Sequence, residues 1–243
     1  MNILILTGAG ISAESGIPTF RDANGLWEGH SVEEVATPAG FARNPVLVHR
    51  FYNERRRALL SPEILPNAAH IALAEFEREH AERSIGEFLL VTQNIDDLHV
   101  RAGSRKVLPM HGELLKVQCL ESHKKYDWRE DLGPETPHPD APDDEEMQGY
   151  LRPHVVWFGE VPYGLDRIER AAMDADVFIA IGTSGLVYPA AGIVRSTKPT
   201  CRKIEINLGD TPASDAFDEC RRGAASVEVP KLLREIQDRS SDQ

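Results

Sequence analysis

Short apolar runs separated by small polar turns set the plan of this chain. Ile3-Leu4-Ile5-Leu6, Phe88-Leu89-Leu90-Val91-Thr92 and Val177-Phe178-Ile179-Ala180-Ile181 carry no charge within the run. That is the pattern of strands buried on both faces of a parallel sheet. Arg202-Lys203-Ile204-Glu205-Ile206-Asn207 reads as a further strand, and residues 225–229 as a last short one before a closing helix that starts at Pro230. Residues 31–60 read as helical, with Asn44 as cap, Pro45 at the first helical position, and Val46, Leu47, Val48, Phe51, Leu59 and Leu60 as the apolar face. A second helix runs from Asn67 to about His80, with Ile71, Leu73, Ala74 and Phe76 inside. Val107-Leu108-Pro109-Met110 leads into a His111-Gly112-Glu113 turn, after which residues 114–117 look extended. Strands alternating with helices predict an α/β fold around a Rossmann-like parallel sheet. Ligands in such sheets sit beyond the carboxyl ends of the strands, so the turns at Gly8, Gln93, Gly182 and Asn207 should face one crevice.

The first of these turns is the most suggestive. After the strand come Thr7-Gly8-Ala9-Gly10 and then Ser12-Ala13-Glu14, which reads as the first turn of a helix. Strand, glycine turn and helix start is how many proteins receive a pyrophosphate, and Gly8-x-Gly10-x-x-Ala13 fits the dinucleotide fingerprint. A plain structural turn explains two glycines equally well. The acid expected at the end of a second strand roughly 20 residues on is also missing, because no strand precedes Glu28, Glu33 or Glu34. A nucleotide site here is therefore not that of an ordinary dehydrogenase.

Composition narrows the classes. At 243 residues the chain suits one large domain, or one domain with an insertion. A net charge of −12 argues against non-specific binding to nucleic acid or acidic membranes and tolerates a lysine-rich partner. Three cysteines, Cys119, Cys201 and Cys220, with no C-x-x-C pair, argue against a disulfide scaffold. No secretory signal or membrane-length apolar run is visible. The expectation is a soluble protein of a reducing compartment, the bacterial cytoplasm being the expected one. Residues 131–148, with four prolines and seven acids, read as an exposed insertion unable to form a core.

Other candidates carry a bland reading beside the functional one. Gln93, Asn94 and Asp96 offer amide and carboxylate groups at a strand end, or merely cap a helix. Gly182-Thr183-Ser184 offers backbone and hydroxyls for ribose or phosphate, or is an ordinary turn. Glu205 and Asn207 could hold ribose hydroxyls, or end a solvated strand. His111 could act as general base, since an unperturbed imidazole titrates near neutrality, although a lone histidine is more often structural. Tyr52 and Arg55 share a helix face and could clamp a carboxylate. The adjoining Arg56 and Arg57 point instead to a solvated basic face.

Taken together, GAGISAESGIPTFRD, QNIDDLH, HGE, WFGE, GTS and EIN occur in this order across nearly the whole chain. In this the protein resembles the sirtuins, the Sir2 family of NAD-dependent protein-lysine deacylases. It is most similar to bacterial members of the desuccinylase subtype, whose small Ala followed by Tyr and Arg on a helix is matched by Ala36, Tyr52 and Arg55. The resemblance implies a Rossmann-like NAD domain from residues 1–30, 84–118 and 151–243, a helical insertion at 31–83, and a degenerate zinc-module insertion at 119–150. It implies NAD as a co-substrate that is consumed. Gly8, Ala9, Gly10, Ala13 and Glu14 would lie at the pyrophosphate, and Phe20, Arg21 and Trp27 in a cofactor loop. Gln93, Asn94, Ile95 and Asp96 would lie at the ribose and nicotinamide, and Gly182, Thr183, Ser184, Asn207 and Ala225 at the adenosine half.

The same resemblance makes His111 the general base, with Asn94 beside it in catalysis. Val156, Trp157, Phe158 and Gly159 match the strand that grips an acyl-lysine peptide. The acyl oxygen would attack C1′ of the nicotinamide ribose, and the products would be nicotinamide, free lysine and O-acyl-ADP-ribose. Ala36, Tyr52 and Arg55 would admit succinyl or malonyl groups, with deacetylation alongside. The departure is at the zinc module. Family members carry two cysteine pairs, and here only Cys119 stands at a matching place, with His123, His138, Asp140 and Asp143 as remote candidates, so zinc is not expected. The partners implied are acyl-lysine proteins or peptides, with no nucleic acid and no membrane, and a monomer is the working expectation. NAD hydrolysis or ADP-ribosyl transfer on the same scaffold stands as the alternative, and a non-catalytic NAD- or peptide-binding module as a further one.

Overall fold

The computed structural model describes residues 1–19, 29–84 and 86–241. Its centre is a six-stranded parallel sheet built from β1 (Ile3–Thr7), β2 (Phe88–Thr92), β3 (Val107–Pro109), β7 (Val177–Ile181), β8 (Arg202–Asn207) and β9 (Glu219–Arg222), in the order β3-β2-β1-β7-β8-β9. Every residue of β1, β2 and β7 is buried, as their uninterrupted apolar runs require. Alternate side chains feed two cores. Ile3, Ile5, Leu90 and Ile179 meet Leu73 and Phe76 of α4 (Ala68–Glu82) and Val229, Leu232, Leu233 and Ile236 of α7 (Ala225–Ser241). Leu4, Leu6, Leu89 and Phe178 meet Ile168 and Ala172 of α6 (Leu165–Asp174) and Ile193 and Val194 of a 3-10 segment.

The second unit of structure is a three-stranded antiparallel sheet, β5-β4-β6, from β4 (Gly112–Cys119), β5 (Lys125–Asp127) and β6 (Leu151–Val155). Helices α1 (Val32–Val35), α2 (Pro38–Arg43) and α3 (Pro45–Leu59) pack on it through Val35, Ala36, Val48, Phe51, Tyr52, Leu114, Val155 and Trp157. The Asn44 side chain accepts from Leu47 N, with Pro45 opening α3, as the sequence predicts, and Asn67 caps α4 by accepting from Ala69 N. A short α5 (Leu98–Arg101) follows β2. Among the described residues, no helix is long and apolar enough to cross a membrane.

Four expectations fail for identifiable reasons. No α-helix follows the glycine turn; two 3-10 turns, Ala9–Ile11 and Ala13–Ser15, stand there and end at Gly16 in the left-handed region, two residues before Pro18. Residues 225–229 are helical and the last strand is β9. One proline inside a helix costs about 3 kcal/mol, whereas burying Val229, Leu232, Leu233 and Ile236 returns about 1.5–3 kcal/mol each. Val46 and Ile71 are exposed, at 62% and 45%, since each sits off the face its helix turns inward.

The acidic segment does reach a core. Leu132 is 2% exposed among Val117, Cys119 and Leu151. Asn53 of α3 grips its backbone from both sides, donating to Leu132 O at 2.8 Å and accepting from Leu132 N at 2.9 Å. Arg56, expected on a solvated face, is buried and donates to Leu114 O, Glu130 O and Asn53 Oδ1. It ties α3 to the small sheet.

Six of the described histidines are buried, and four of them have imidazoles pulled far down. Burial is the main force that holds His49, His70 and His154 down at about 4 and His99 at about 3. Unfolded imidazoles titrate near about 6.5. Between that value and about 4 the unfolded chain therefore binds more protons, and the native state loses stability as pH falls through this window. The urea midpoint is expected to be level above about pH 6.5 and to drop steadily toward pH 4. A midpoint flat across the window contradicts neutral buried imidazoles.

Candidate functional site

Parallel register brings the strand ends out side by side: Thr7 pairs with Thr92 and Ile181, and Ile181 with Ile206. The chain order reverses between β1 and β7, which makes their carboxyl ends the topological switch point of the sheet. Here two turns meet at backbone contact. Gly10 N donates to Gly182 O at 2.8 Å and Gly8 N to Ile181 O at 3.0 Å. A Cβ on Gly8 or Gly10 would come within 2.7 Å of Gly182, and one on Gly182 within 2.5 Å of Ile11 N. Ile11 N and Ser12 N are also engaged, with Gly8 O and Ala9 O. The glycines thus serve close approach of two turns, and these four amides are not the open donors expected at a helix start.

The remaining strand-end groups close around that contact. Gln93 Nε2 donates to Thr183 Oγ1 at 2.9 Å, and Asn207 Nδ2 to Thr183 O at 2.8 Å. Asn94 is buried and its Nδ2 donates to Gly8 O at 3.2 Å and Ser12 Oγ at 3.1 Å. Ser12 Oγ donates to Asp96 Oδ2 at 3.0 Å and lies 3.4 Å from His70 Nε2. His70 Nδ1 accepts from Asn67 N, so Nε2 carries the proton and donates to Ser12. The hydroxyl is saturated by one donation and two acceptances. Burial pushes the Asp96 carboxyl up, against hydrogen bonds from Leu98 N and Ser12. Sequence reasoning missed Ser12 and His70 as partners; the available signal was a histidine at helical spacing with Leu73 and Ala74 on the inward face of α4.

His111 opens β4. Its Nδ1 lies 3.0 Å from Gln93 O. A carbonyl only accepts, so Nδ1 holds the proton and Nε2 is the basic nitrogen. Burial pulls the imidazole below its ordinary value, and the Gln93 bond partly restores it. His111 O accepts from Val156 N at 2.9 Å, and Ala36 O from Phe158 N at 2.9 Å. Residues 156–159 follow β6 rather than forming a strand, which corrects the expectation for Val156, Trp157, Phe158 and Gly159. Gly159 is in the left-handed region and Phe158 is partly exposed. Trp157 points inward at 2% exposure.

Several other expected site residues take different places. Ile95 packs against the core shared by the helices and the small sheet, and Ile95 O accepts from Leu114 N. The Glu14 carboxylate accepts from Ser226 N and Oγ at 2.9 and 2.8 Å, tying the glycine loop to the start of α7 beside buried Ala225. Ala13 and Ser184 are exposed. Glu205 is buried and takes bonds from Thr211, Ser214 and Arg222, so it fixes the loop after Asn207. Phe20, Arg21 and Trp27 lie outside the described residues. Tyr52 is fully buried and accepts from Trp157 Nε1 at 2.9 Å, while Arg55 stacks on Phe51 and donates to Phe51 O at 2.6 Å.

Three of the zinc-module candidates are otherwise engaged, while His138, buried beside Cys119, keeps an Nε2 without a hydrogen-bond partner among the described residues. Cys119 packs among apolar side chains, His123 pairs with Gln118, and Asp140 takes Lys124 and Tyr126. Among the described residues, no three His, Cys, Asp or Glu converge as metal ligands. These positions do not fit the four thiolate or imidazole ligands of a structural zinc. An open depression lined by residues 141–146 lies in the same acidic segment. Its described lining holds carboxylates but no histidine, cysteine or hydroxyl side chain, and the strand ends remain the candidate site.

Residues 8–189 match the Sir2 family. The chain belongs to that family. A relative in Rhodopirellula baltica, called NAD-dependent protein deacylase, is 74% identical over 233 residues, covering 96% of this chain and 98% of its own. A relative of the same name in Pasteurella multocida is 53% identical, with 97% and 98% covered. A mutant Sir2 homologue in complex with ADP-ribose superposes with a TM-score of 0.84 at 39% identity, covering 99% of this chain and 94% of that one. A Sir2 homologue in complex with NAD gives 0.83 at 40% identity, with 98% and 90% covered. The Sir2 fold in this chain turns on the contact of Gly10 with Gly182. Gly182→Ala is expected to lower the unfolding free energy by about 3 kcal/mol or more, because backbone must move. Gly209→Ala, whose Cβ would meet nothing within 4 Å, should change the urea midpoint little; equal midpoints for the two variants contradict the packing argument.

Proposed function

We propose that this Sir2-family protein is an NAD-dependent protein-lysine deacylase with a preference for acidic acyl groups. The observation that carries the reading is the position of His111. Its ring is bonded to Gln93, within the strand-end cluster, and its backbone carbonyl holds Val156 of the segment after β6. A base so placed stands between a nucleotide crevice and a peptide-binding edge. The names of the relatives support NAD-dependent deacylation. The strand-end donors also suit NAD: side-chain amides, hydroxyls and one buried carboxyl at a switch point match ribose hydroxyls and a carboxamide.

In the proposed reaction NAD is a consumed co-substrate, supplying the electrophilic C1′ from which nicotinamide departs. The chain's own residues hold and orient. Gly8, Ala9, Gly10 and Ala13 shape the pyrophosphate turn, and Glu14 acts by fastening that turn to α7. Asn94 and Asp96, ordered through Ser12 and His70, are assigned to the nicotinamide ribose. Gln93, Gly182, Thr183, Ser184, Asn207 and Ala225 are assigned to the rest of the nucleotide. His111 takes a ribose-hydroxyl proton at Nε2. Residues 156–159 receive the peptide, Ala36 leaves room for the acyl group, and Arg55 with Tyr52 receives its distal carboxylate.

Three measurements test this. Protein mixed with NAD and succinyl-, malonyl- or acetyl-lysine peptide should free lysine in each case and faster for the acidic groups; free ADP-ribose without lysine release contradicts the reading in favour of NAD hydrolysis. Arg55→Met should lower kcat/KM for succinyl-lysine roughly tenfold or more, the value of a charge-assisted pair at about 1.5–3 kcal/mol. His111→Ala should abolish turnover while NAD still binds. Because the imidazole is held below its ordinary value, kcat/KM should be level above about pH 6.5 and fall only below it. A falling limb that begins above pH 7 would remove His111 as the base.

A further inference from the structure

Asn67 stands where a helix cap belongs, yet capping accounts for only half of its side chain. Its Oδ1 accepts from Ala69 N at 3.0 Å, which serves α4. Its Nδ2 turns the other way and donates to Ile11 O at 2.8 Å and Ser15 Oγ at 3.0 Å, 56 and 52 positions earlier in the chain. A backbone N–H only donates and a carbonyl only accepts, so the amide has one permitted orientation. Serine, threonine or aspartate would cap the helix as well. None of them can give two hydrogens to the turn while accepting from Ala69 N.

The two acceptors bracket Ser12. Ile11 precedes it, and Ser15 closes the turn by donating from its backbone N to Ser12 O at 3.0 Å. Both Ile11 and Ser15 are buried, so water does not readily replace a lost donor. Ser12 Oγ is the hub that receives Asn94 and His70 and donates to Asp96. The earlier part of the loop has a separate anchor, since Gly8 N and Gly10 N are bonded to Ile181 O and Gly182 O. The glycines are therefore held by the end of β7, and the Ser12 turn by the start of α4. We propose that Asn67 is a positioning residue for the nucleotide site, holding the Ile11–Ser15 turn so that Ser12, Asn94 and Asp96 meet the ribose that carries nicotinamide. The inference rests on the assignment of Asn94 and Asp96 to that ribose.

ADP and ADP-ribose separate this role from plain capping. Both carry the diphosphate, and only ADP-ribose carries the second ribose. Asn67→Ser keeps a capping oxygen and removes both donated hydrogens. Calorimetric titration of the whole protein should show ADP-ribose binding weakened about fivefold to tenfold, on the scale of a lost directed hydrogen bond, with ADP binding unchanged. Ser15→Ala leaves the cap and Asn67 in place and removes one of the two acceptors. It should weaken ADP-ribose about threefold and leave ADP unchanged, and it decides the matter if Asn67→Ser fails to fold.

An unchanged affinity for ADP-ribose in the folded Asn67→Ser variant, or in Ser15→Ala where that variant stands in, would overturn the inference, because a cap acts on stability alone. Equal losses for the two nucleotides would overturn it too, because the Ser12 turn would then not be held apart from the glycines. Ser12→Ala is the reference. If it weakens ADP-ribose selectively and Asn67→Ser does not, the positioning role fails and the ribose assignment stands. If neither variant does so, the ribose assignment itself fails.

Discussion

Two strand-end turns pressed together without side chains between them are the constraint on which the rest of this structure depends. Gly8 and Gly10 leave β1, Gly182 leaves β7, and their backbones meet at distances that exclude a Cβ. The contact falls where the strand order reverses, the place where α/β sheets of this kind receive ligands. Everything polar nearby is arranged on it. Asn94 reaches the carbonyl of Gly8, Gln93 and Asn207 reach Thr183, and Glu14 crosses to the start of α7.

A second constraint joins those strand ends to the smaller sheet. His111 is the hinge point: its ring belongs to the strand-end cluster and its backbone to the segment that runs from β6 toward Ala36. Buried polar groups on both sides are linked in chains, Asn94–Ser12–Asp96–His70 on one side and Arg152–Glu160–Trp157–Tyr52 on the other. Such chains are stiff because removing any member strands its neighbour in a low-dielectric interior. Chemistry that needs a base, a nucleotide and a peptide within bonding distance is favoured by stiffness of this kind.

Much of the fold was legible in the chain because β1, β2 and β7 are buried on both faces, and only unbroken apolar runs satisfy that. The strand-end turns followed from the same reading, and so did the convergence of Gly8, Gln93, Gly182 and Asn207. What was not legible depends on partners far away in sequence. Residues 225–229 look β-branched enough for a strand until the helical spacing through Ile236 is matched to the sheet. Leu132 sits in an acidic, proline-rich stretch, and only Asn53 of α3 makes its burial possible. Arg56 looks like surface charge until three carbonyl and amide oxygens surround it. The pairs Ser12 with His70 and Tyr52 with Trp157 are separated by 58 and 105 positions, beyond any local pattern.

The central claim is that separate strand ends form a single nucleotide site around the glycine contact. Hydrogen–deuterium exchange with and without ADP-ribose tests it most directly, because each strand-end turn reports separately. The account predicts joint protection of peptides covering residues 8–16, 93–97, 182–186, 207–208 and 223–226 on addition of the nucleotide. Protection confined to the acidic segment, or to one strand end with the others unchanged, would contradict it.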